Sequence, residues 1–253
     1  MNLIETHRYL IAYLDLLGIK KKLCSSDKKE QILTMTLLEK VINDAKYGSY
    51  STEFLIDNID VLVFSDNILI AYDTEKSVSE QGYIDEVCKL VLYVMCLQTM
   101  ALVNGFFLRG SIGFGDLYID KKKNFVCGSG LITAYTNESQ NAIYPRIITD
   151  DSELLNIVNA GLKLQNGYVI SKPFTKDNDS IYFLDYLQML GCIKQDLPMH
   201  LLKNKEHYEK YQVLLPNEDE KVKSKHQWHI NYFNNYCKQV GYAQNQIEVN
   251  YAE

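Results

Sequence analysis

Apolar and polar positions follow two different periods along this chain, and these periods predict its strands and helices. Residues 9–16 form an apolar run that ends near a glycine, which is typical of a buried strand. Residues 28–45 carry apolar side chains at nearly helical spacing, and residues 78–104 form a longer apolar helix. Residues 54–72 have the content of two strands, joined at a polar turn that predicts a hairpin.

The rest of the chain continues the mixture of strands and helices. The predicted elements are strands at 106–118, 124–128 and 143–149, helices at 131–140 and 152–162, edge strands at 168–170 and 181–186, and polar, aromatic-striped helices at 196–215 and 221–242. This order predicts an α+β fold in which helices cover one face of a sheet. We expect a main domain over residues 1–166 and, over residues 167–253, a C-terminal strand and helical extension packed on it.

The composition of the chain argues against several classes of function. The 253 residues include 47% hydrophobic side chains and carry a net charge of −6, so a broad basic surface for DNA is not expected. The six cysteines contain no CxxC pair, which argues against a zinc site and a disulfide framework. Neither a signal pattern nor an uninterrupted apolar span of ~18 residues is visible. We therefore expect a reduced, cytoplasmic protein that does not bind membranes.

Two aspartates next to apolar strands are the candidate chemistry. Asp15 lies in the first strand and Asp66 lies in the predicted hairpin turn. Carboxylates there are costly to desolvate unless they are paired or bind a metal, and two neighbouring carboxylates repel by roughly 1–4 kcal/mol. Mg²⁺ or Mn²⁺ would remove that repulsion and would also bind substrate phosphates. The alternative is that Asp66, between Ser65 and Asn67, is only a turn residue.

Arginine is rare in this chain: only Arg8, Arg109 and Arg146 occur among 26 basic residues. Where lysine is the default cation, an arginine is expected where bidentate binding of phosphate or carboxylate is needed. Arg109 opens a glycine-rich strand and Arg146 follows Tyr144-Pro145. Both are candidates for binding substrate, and the alternative for both is a structural ion pair with a nearby aspartate.

Four segments, in order, resemble the class III nucleotidyl cyclases. They are Tyr13-Leu-Asp15-Leu-Leu-Gly18-Ile, Phe64-Ser-Asp66-Asn-Ile68, Leu108-Arg-Gly-Ser-Ile-Gly-Phe-Gly115 and Gly128-Ser-Gly-Leu-Ile-Thr-Ala134-Tyr-Thr-Asn-Glu138-Ser. The chain is most similar to the bacterial pyrimidine cyclases of the Pycsar anti-phage system, which carry a similar Asp-Leu-Leu-Gly block, Ser-Asp hairpin, Arg-Gly strand and Tyr-Pro-Arg-Ile end. The match spans residues 9–148. It implies a ferredoxin-like, palm-type antiparallel sheet.

This resemblance also assigns roles to the candidate residues. Asp15, Asp66 and the carbonyl of Leu16 would bind two Mn²⁺ or Mg²⁺ ions, one near the attacking ribose 3′-hydroxyl and one on the outer phosphates. The turn that contains Leu17 and Gly18, with the following helix N-terminus, would cradle the triphosphate. Arg109 would contact a phosphate or the base. The expected catalytic residues are therefore Asp15, Asp66 and Arg109. Tyr13 lies on the same face as Asp15 and would contact the base or ribose, or else pack in the core.

The chain also departs from the adenylyl and guanylyl cyclases. Those enzymes place Asn and Arg on the helix after the second hairpin, where this chain has Ile132 and Thr136, and Ser129 stands where a base-reading acid often lies. Either Arg146 or Tyr135 serves instead from across a dimer, or catalysis is weak. The family builds its site between two head-to-tail chains, so a homodimer is expected.

The expected function is therefore conversion of UTP or CTP to the 3′,5′-cyclic monophosphate and pyrophosphate, as an anti-phage signal that a separate effector protein senses. Two alternatives remain at this stage. One is a cyclase-fold protein that binds a nucleotide or a partner without turnover, which Ile132 and Thr136 favour. The other is a palm-type relative that joins two nucleotides, although Phe64-Ser-Asp66-Asn67 lacks the Gly-Gly-Asp-Asp-like hairpin of that group.

Overall fold

The computed structural model describes residues 5–47, 59–164, 168–191, 197–212 and 218–248. Its strands are β1 (His7–Leu17), β2 (Ile59–Phe64), β3 (Asn67–Asp73), β4 (Phe107–Asp120), β5 (Phe125–Cys127), β6 (Ile147–Thr149), β7 (Leu162–Lys163), β8 (Val169–Ile170), β9 (Phe174–Lys176) and β10 (Tyr182–Leu184). The main sheet has the order β2-β3-β1-β4-β6-β10-β9, with β5 paired to β4, and β7 pairs with β8 separately. Among these strands only β4 and β6 run parallel. The α+β fold with a mostly antiparallel sheet is confirmed.

Eight α-helices accompany these strands in the described part of the chain. They are α1 (Ile19–Leu23), α2 (Lys28–Tyr47), α3 (Glu80–Val103), α4 (Ser129–Asn141), α5 (Ser152–Val158), α6 (Gln188–Gly191), α7 (Leu197–Gln212) and α8 (Glu220–Gln239). Asp151 caps α5, accepting hydrogen bonds from the backbone N–H groups of Glu153 and Leu154. That helix ends four residues before the predicted bound, ahead of Gly161, whose φ of +87° belongs to the left-handed region.

Strand β1 lies in the middle of the sheet, between β3 and β4. Leu10, Ala12 and Leu14 pack on one face, while Ile11 and Tyr13 pack on the other. Because both faces are covered, the strand is an unbroken apolar run rather than an alternation of apolar and polar residues.

Helix α3 is apolar on all sides because it packs against the sheet and against α2. By length and composition alone, this helix could also cross a membrane, although no such span was expected from the sequence. However, 78% of that apolar window is buried inside the structure, as in the core helix of a soluble protein.

Helix α4 covers the sheet face opposite α3, so the helices do not all lie on the one face that was predicted. The close contact depends on two glycines. A Cβ atom on Gly115 of β4 would lie 2.5 Å from the Cα atom of Gly130, and any side chain there would push the helix away. This approach brings the last turns of α4 over the end of β1.

Helix α8 closes the described part of the C-terminal region. Its aromatic stripe packs inward as predicted: Phe233 is fully buried and Trp228 stacks on Tyr144. Strands β9 and β10 extend the main sheet beyond β6. The predicted boundary at residues 166 and 167 lies outside the described residues, as do Cys192 and residues 54–58 of the first predicted hairpin. The other five cysteines are free thiols.

Candidate functional site

The predicted turn places Asp66 beside the end of β1. Residues 65 and 66 form a two-residue loop between β2 and β3, and Ser65 takes a φ of +60° in the left-handed region. The backbone N–H of Leu16 donates a 2.8 Å hydrogen bond to the carbonyl oxygen of Asp66. Asp15, which precedes Leu16, pairs in register with Asn67. The structure therefore brings the two backbone segments that carry Asp15 and Asp66 into direct contact.

These residues fit a hard divalent cation. The N–H and C=O groups of one strand residue point to the same side, so the Leu16 carbonyl faces the loop that contains Asp66. Two carboxylates and one carbonyl are suitable ligands for Mg²⁺ or Mn²⁺, which take their remaining ligands from phosphates and water. Across the described residues, no group of three or more histidine, cysteine, aspartate or glutamate side chains is arranged to hold a metal ion.

Arg109 lies opposite Asp15 in the pairing of β1 with β4. Its Nε atom donates a 2.9 Å hydrogen bond to Asp15 Oδ2 and lies 2.7 Å from Oε1 of Glu138 on α4. Within the described residues, its two terminal nitrogens make no hydrogen bond, and the side chain is 21% exposed. Those nitrogens are therefore available to a phosphate or another anion, while Nε keeps the guanidinium in place.

Glu138 is the member of this cluster that sequence analysis missed. Its carboxylate is almost fully buried, and the Arg109 N–H points to Asp15, so Glu138 Oε1 has no hydrogen-bond partner among the described residues. Burial raises the pKa of Glu138; Arg109 opposes this shift, and the nearby carboxylates of Asp15 and Asp66 add to it. The signal was present in the sequence, because Gly130, Ala134 and Glu138 are spaced four apart on the buried side of α4.

The raised pKa predicts how Glu138→Gln changes stability with pH. As pH rises, the unfolded chain loses this proton first, so Glu138 lowers the free energy of unfolding between its unfolded and folded pKa values. We therefore expect Glu138→Gln to gain stability relative to the parent protein as pH rises from the ordinary carboxyl range to neutrality. Urea unfolding of both proteins across that range measures the difference. A difference that shrinks with rising pH would contradict this account.

Tyr13 lies on the face that carries Asp15, as strand alternation predicts. Its ring packs against Phe64 and edge-on against Tyr135, with centroid distances of 6.3 and 5.8 Å. Only 6% of the residue is exposed, and burial raises its pKa to about 12. The ring therefore belongs to an apolar cluster, the alternative considered for it, and its hydroxyl stays protonated at neutral pH.

The turn after β1 brings in a second region of the chain. Gly18 has a φ of +75°, a conformation that favours glycine, and leads directly into the short helix α1. Leu17 and Gly18 face helix α8 across a cavity that Lys225 also lines. Burial and Arg109 lower the pKa of Lys225, while Asp15 and Glu138 oppose that shift. Lys225 was not predicted, since its approach to Asp15 depends on how α8 docks.

The side chain of Arg146 lies with two other aspartates, away from Asp15 and Asp66. Its guanidinium is fully buried, forms ion pairs with Asp177 and Asp179, and packs against Trp228 at 5.7 Å from the ring centroid. The structural ion pair, which was the alternative for this residue, is the arrangement that the structure contains. Arg146 is not brought together with Asp15 and Asp66 within the chain, because its own carboxylate partners hold it beneath α8.

The exposed side of α4 carries the positions at which the chain departs from adenylyl and guanylyl cyclases. Ile132 and Tyr135 are exposed, and the hydroxyl of Thr136 donates 2.8 Å back to the Ile132 carbonyl. Ser129 is the first residue of the helix. Within one chain, none of these four residues supplies a cation to the site.

No protein-family model and no curated protein matches this chain. Among solved structures, the adenylyl cyclase CyaB from P. aeruginosa aligns at 10% identity over 72% of this chain and 96% of its own, with a TM-score of 0.46. The catalytic core of a rhodopsin-guanylyl cyclase aligns at 10% identity over 71% and 96%, with a TM-score of 0.47. The guanylyl cyclase Cya2 aligns at 15% identity over 72% and 93%, with a TM-score of 0.41. All three TM-scores lie below 0.5.

Proposed function

We propose that this chain is a metal-dependent nucleotidyl cyclase that converts a pyrimidine nucleoside triphosphate to its 3′,5′-cyclic monophosphate and pyrophosphate. The observation that carries the proposal is the contact between the end of β1 and the Ser65–Asp66 loop, in which Asp15, Asp66 and the Leu16 carbonyl lie at the same end of the central strands. Arg109 adds a fixed guanidinium with available donors beside them. This set suits phosphoryl transfer, which needs positioning and charge neutralisation more than covalent chemistry.

In the proposed reaction the ribose 3′-hydroxyl gives its proton to water and its oxygen bonds to the α-phosphorus. The bond between that phosphorus and the oxygen that bridges it to the β-phosphate breaks, and pyrophosphate leaves. Asp15, Asp66 and Leu16 would hold the divalent cation, which when bound neutralises charge on the phosphates. Arg109 donates from its terminal nitrogens to a phosphate oxygen, held in place by Asp15 and Glu138. Charge that develops on the phosphates is thus met by a donor that is already oriented.

The working unit would be a homodimer with the site at its interface. Phe64, Ile132 and Tyr135 form an exposed apolar strip next to Tyr13 and the Asp66 loop. An exposed apolar strip at the rim of a polar site favours a protein partner. A second copy of the chain would cover it and would bring further side chains to the nucleotide.

The pyrimidine preference and the role in defence rest on the resemblance of the four sequence segments to the Pycsar cyclases. UTP or CTP would be the substrate, the cyclic product would be a second messenger of anti-phage defence in the cytoplasm, and a separate effector protein would sense it. Ser129, at the place where purine cyclases often carry a base-reading acid, is consistent with a pyrimidine.

The test is a substrate panel. Purified protein with Mn²⁺ should release pyrophosphate from UTP or CTP and much less from ATP or GTP, and mass spectrometry should find a cyclic mononucleotide. In sedimentation the active species should have twice the mass of the 29.2 kDa chain. Release from none of the four nucleotides would remove the enzyme proposal, and a dinucleotide product would favour the palm-type alternative.

One observation favours a second candidate, a protein that binds nucleotide without turnover. The exposed side of α4 presents Ile132 and a Thr136 hydroxyl that is bonded to its own helix, instead of an amide and a guanidinium. Nucleotide binding measured by calorimetry without release of any product would support this candidate over the cyclase.

A further inference from the structure

Arg109 occupies a carboxylate that the proposed reaction needs for its cation. The Nε atom of Arg109 donates a 2.9 Å hydrogen bond to Oδ2 of Asp15, and Asp15 is one of the two proposed carboxylate ligands. A guanidinium held against this carboxylate takes one of its oxygens and repels a divalent cation that approaches the same group. Arg109 and the cation therefore compete for Asp15.

A second carboxylate lies within reach of the same nitrogen. Arg109 Nε is 2.7 Å from Oε1 of Glu138, but its N–H points to Asp15. Glu138 Oε1 is buried and has no hydrogen-bond partner among the described residues. A buried acceptor normally has a donor. Because this oxygen is closed off from solvent, its donor must come from inside the protein, and Arg109 is the cation in contact with it.

The two acceptors are held by different elements around Arg109. Asp15 belongs to β1 and pairs in register with Arg109 of β4, whereas Glu138 belongs to α4. Both oxygens already lie within hydrogen-bond distance of Nε, so a small turn of the guanidinium moves the N–H from one to the other. This exchange requires no movement of a strand or a helix.

We propose that Glu138 is a positioning residue that takes over Arg109 when Asp15 binds the cation. The inference deepens the proposed cyclase function and rests on it, because the cation belongs to that reaction. Glu138 would keep the guanidinium paired after Asp15 releases it, so that Asp15 is freed at little cost. The terminal nitrogens of Arg109 would still be available to a phosphate, since Nε alone makes the exchange.

Mn²⁺ binding to the full-length protein without nucleotide, measured by calorimetry, tests this exchange. Glu138→Gln should weaken Mn²⁺ binding about tenfold, because a neutral amide is a poorer acceptor and leaves Arg109 on Asp15. Glu86→Gln is the matched control. Glu86 lies on α3 and pairs with Lys89 at 2.7 Å, so the same chemical change removes a partly buried ion pair outside the site. It should bind Mn²⁺ as the parent protein does.

Repeating the measurement in an Arg109→Gln background separates the exchange from direct attraction between Glu138 and the cation. If Glu138 acts through Arg109, adding Glu138→Gln to that background should change Mn²⁺ affinity by less than about twofold. A loss of about tenfold in both backgrounds would show direct attraction and overturn the exchange. Unchanged Mn²⁺ affinity in Glu138→Gln alone would also overturn it, whether or not Arg109→Gln folds.

The outcomes also separate this exchange from the cyclase proposal. Mn²⁺ binding that depends on Glu138 only when Arg109 is present, in a protein that cyclises no nucleotide, would keep the exchange and reject the cyclase. Pyrophosphate release by the parent protein, together with equal Mn²⁺ affinity in Glu138→Gln, would reject the exchange and keep the cyclase.

Discussion

Replacing Asp66 with asparagine should reduce pyrophosphate release by roughly 10²–10³-fold, the loss expected when a main stabiliser of transition-state charge is removed. The substitution keeps the backbone carbonyl that accepts from Leu16 and keeps an oxygen for the Asn67 side chain to bond, so the loop should retain its shape. It removes one of the two negative charges proposed to hold the cation. The measurement is the initial rate with saturating nucleotide and Mn²⁺.

A second readout makes the Asp66 prediction independent of turnover. Mn²⁺ binding, followed by calorimetry, should weaken in Asp66→Asn and stay unchanged in Asp150→Asn. Asp150 is an exposed aspartate that follows β6, and it provides the same chemical change outside the proposed site. Equal Mn²⁺ affinity in all three proteins, or a rate in Asp66→Asn close to that of the parent, would contradict the role of Asp66 as a metal ligand.

The framework of the site was predictable from sequence because it depends on local signals. The apolar run that ends at Gly18, the polar Ser65–Asn67 turn and the glycine-rich strand after Arg109 fix β1, the β2–β3 hairpin and β4 by content alone. Antiparallel pairing of β1 with β3 and β4 then aligns Asp15 with Arg109 on one side and Asn67 on the other. Only the β2–β3 hairpin is a local pairing; β1 meets β3 and β4 across long stretches of chain, so the registers that align Asp15 with Arg109 and Asn67 were not predicted.

The remaining site residues depend on how distant elements dock, which single-sequence patterns do not specify. Glu138 reaches Arg109 because Gly115 and Gly130 let α4 approach β4, and Lys225 reaches the same cluster only through the docking of α8. The same limitation explains why the position of the Arg146 side chain was not predicted. Its rarity and its Tyr-Pro context suggested a substrate ligand, but its partners, Asp177 and Asp179, lie more than thirty residues further along the chain.

Replacing Arg146 with alanine should lower the free energy of unfolding by about 3–5 kcal/mol, the range for breaking a buried charge pair from one side. The change leaves Asp177 and Asp179 without their cation and opens a void between Tyr144, Phe183 and Trp228, whose rings pack around the guanidinium. Trp228 is the single tryptophan of the chain, so its fluorescence during urea unfolding reports on this region directly.

Arg8 provides the matched control, because its guanidinium also makes a two-pronged contact with a carboxylate, Glu153, but at the surface. Exposed pairs contribute about 0–1 kcal/mol, so Arg8→Ala should change stability far less than Arg146→Ala. If Arg146 binds substrate rather than supporting the fold, its loss would raise KM while stability stays close to that of the parent. That result would support a role for Arg146 in binding substrate. A large loss of stability would instead show that Arg146 stabilises the fold by joining β6 to the loop before β10 and to α8.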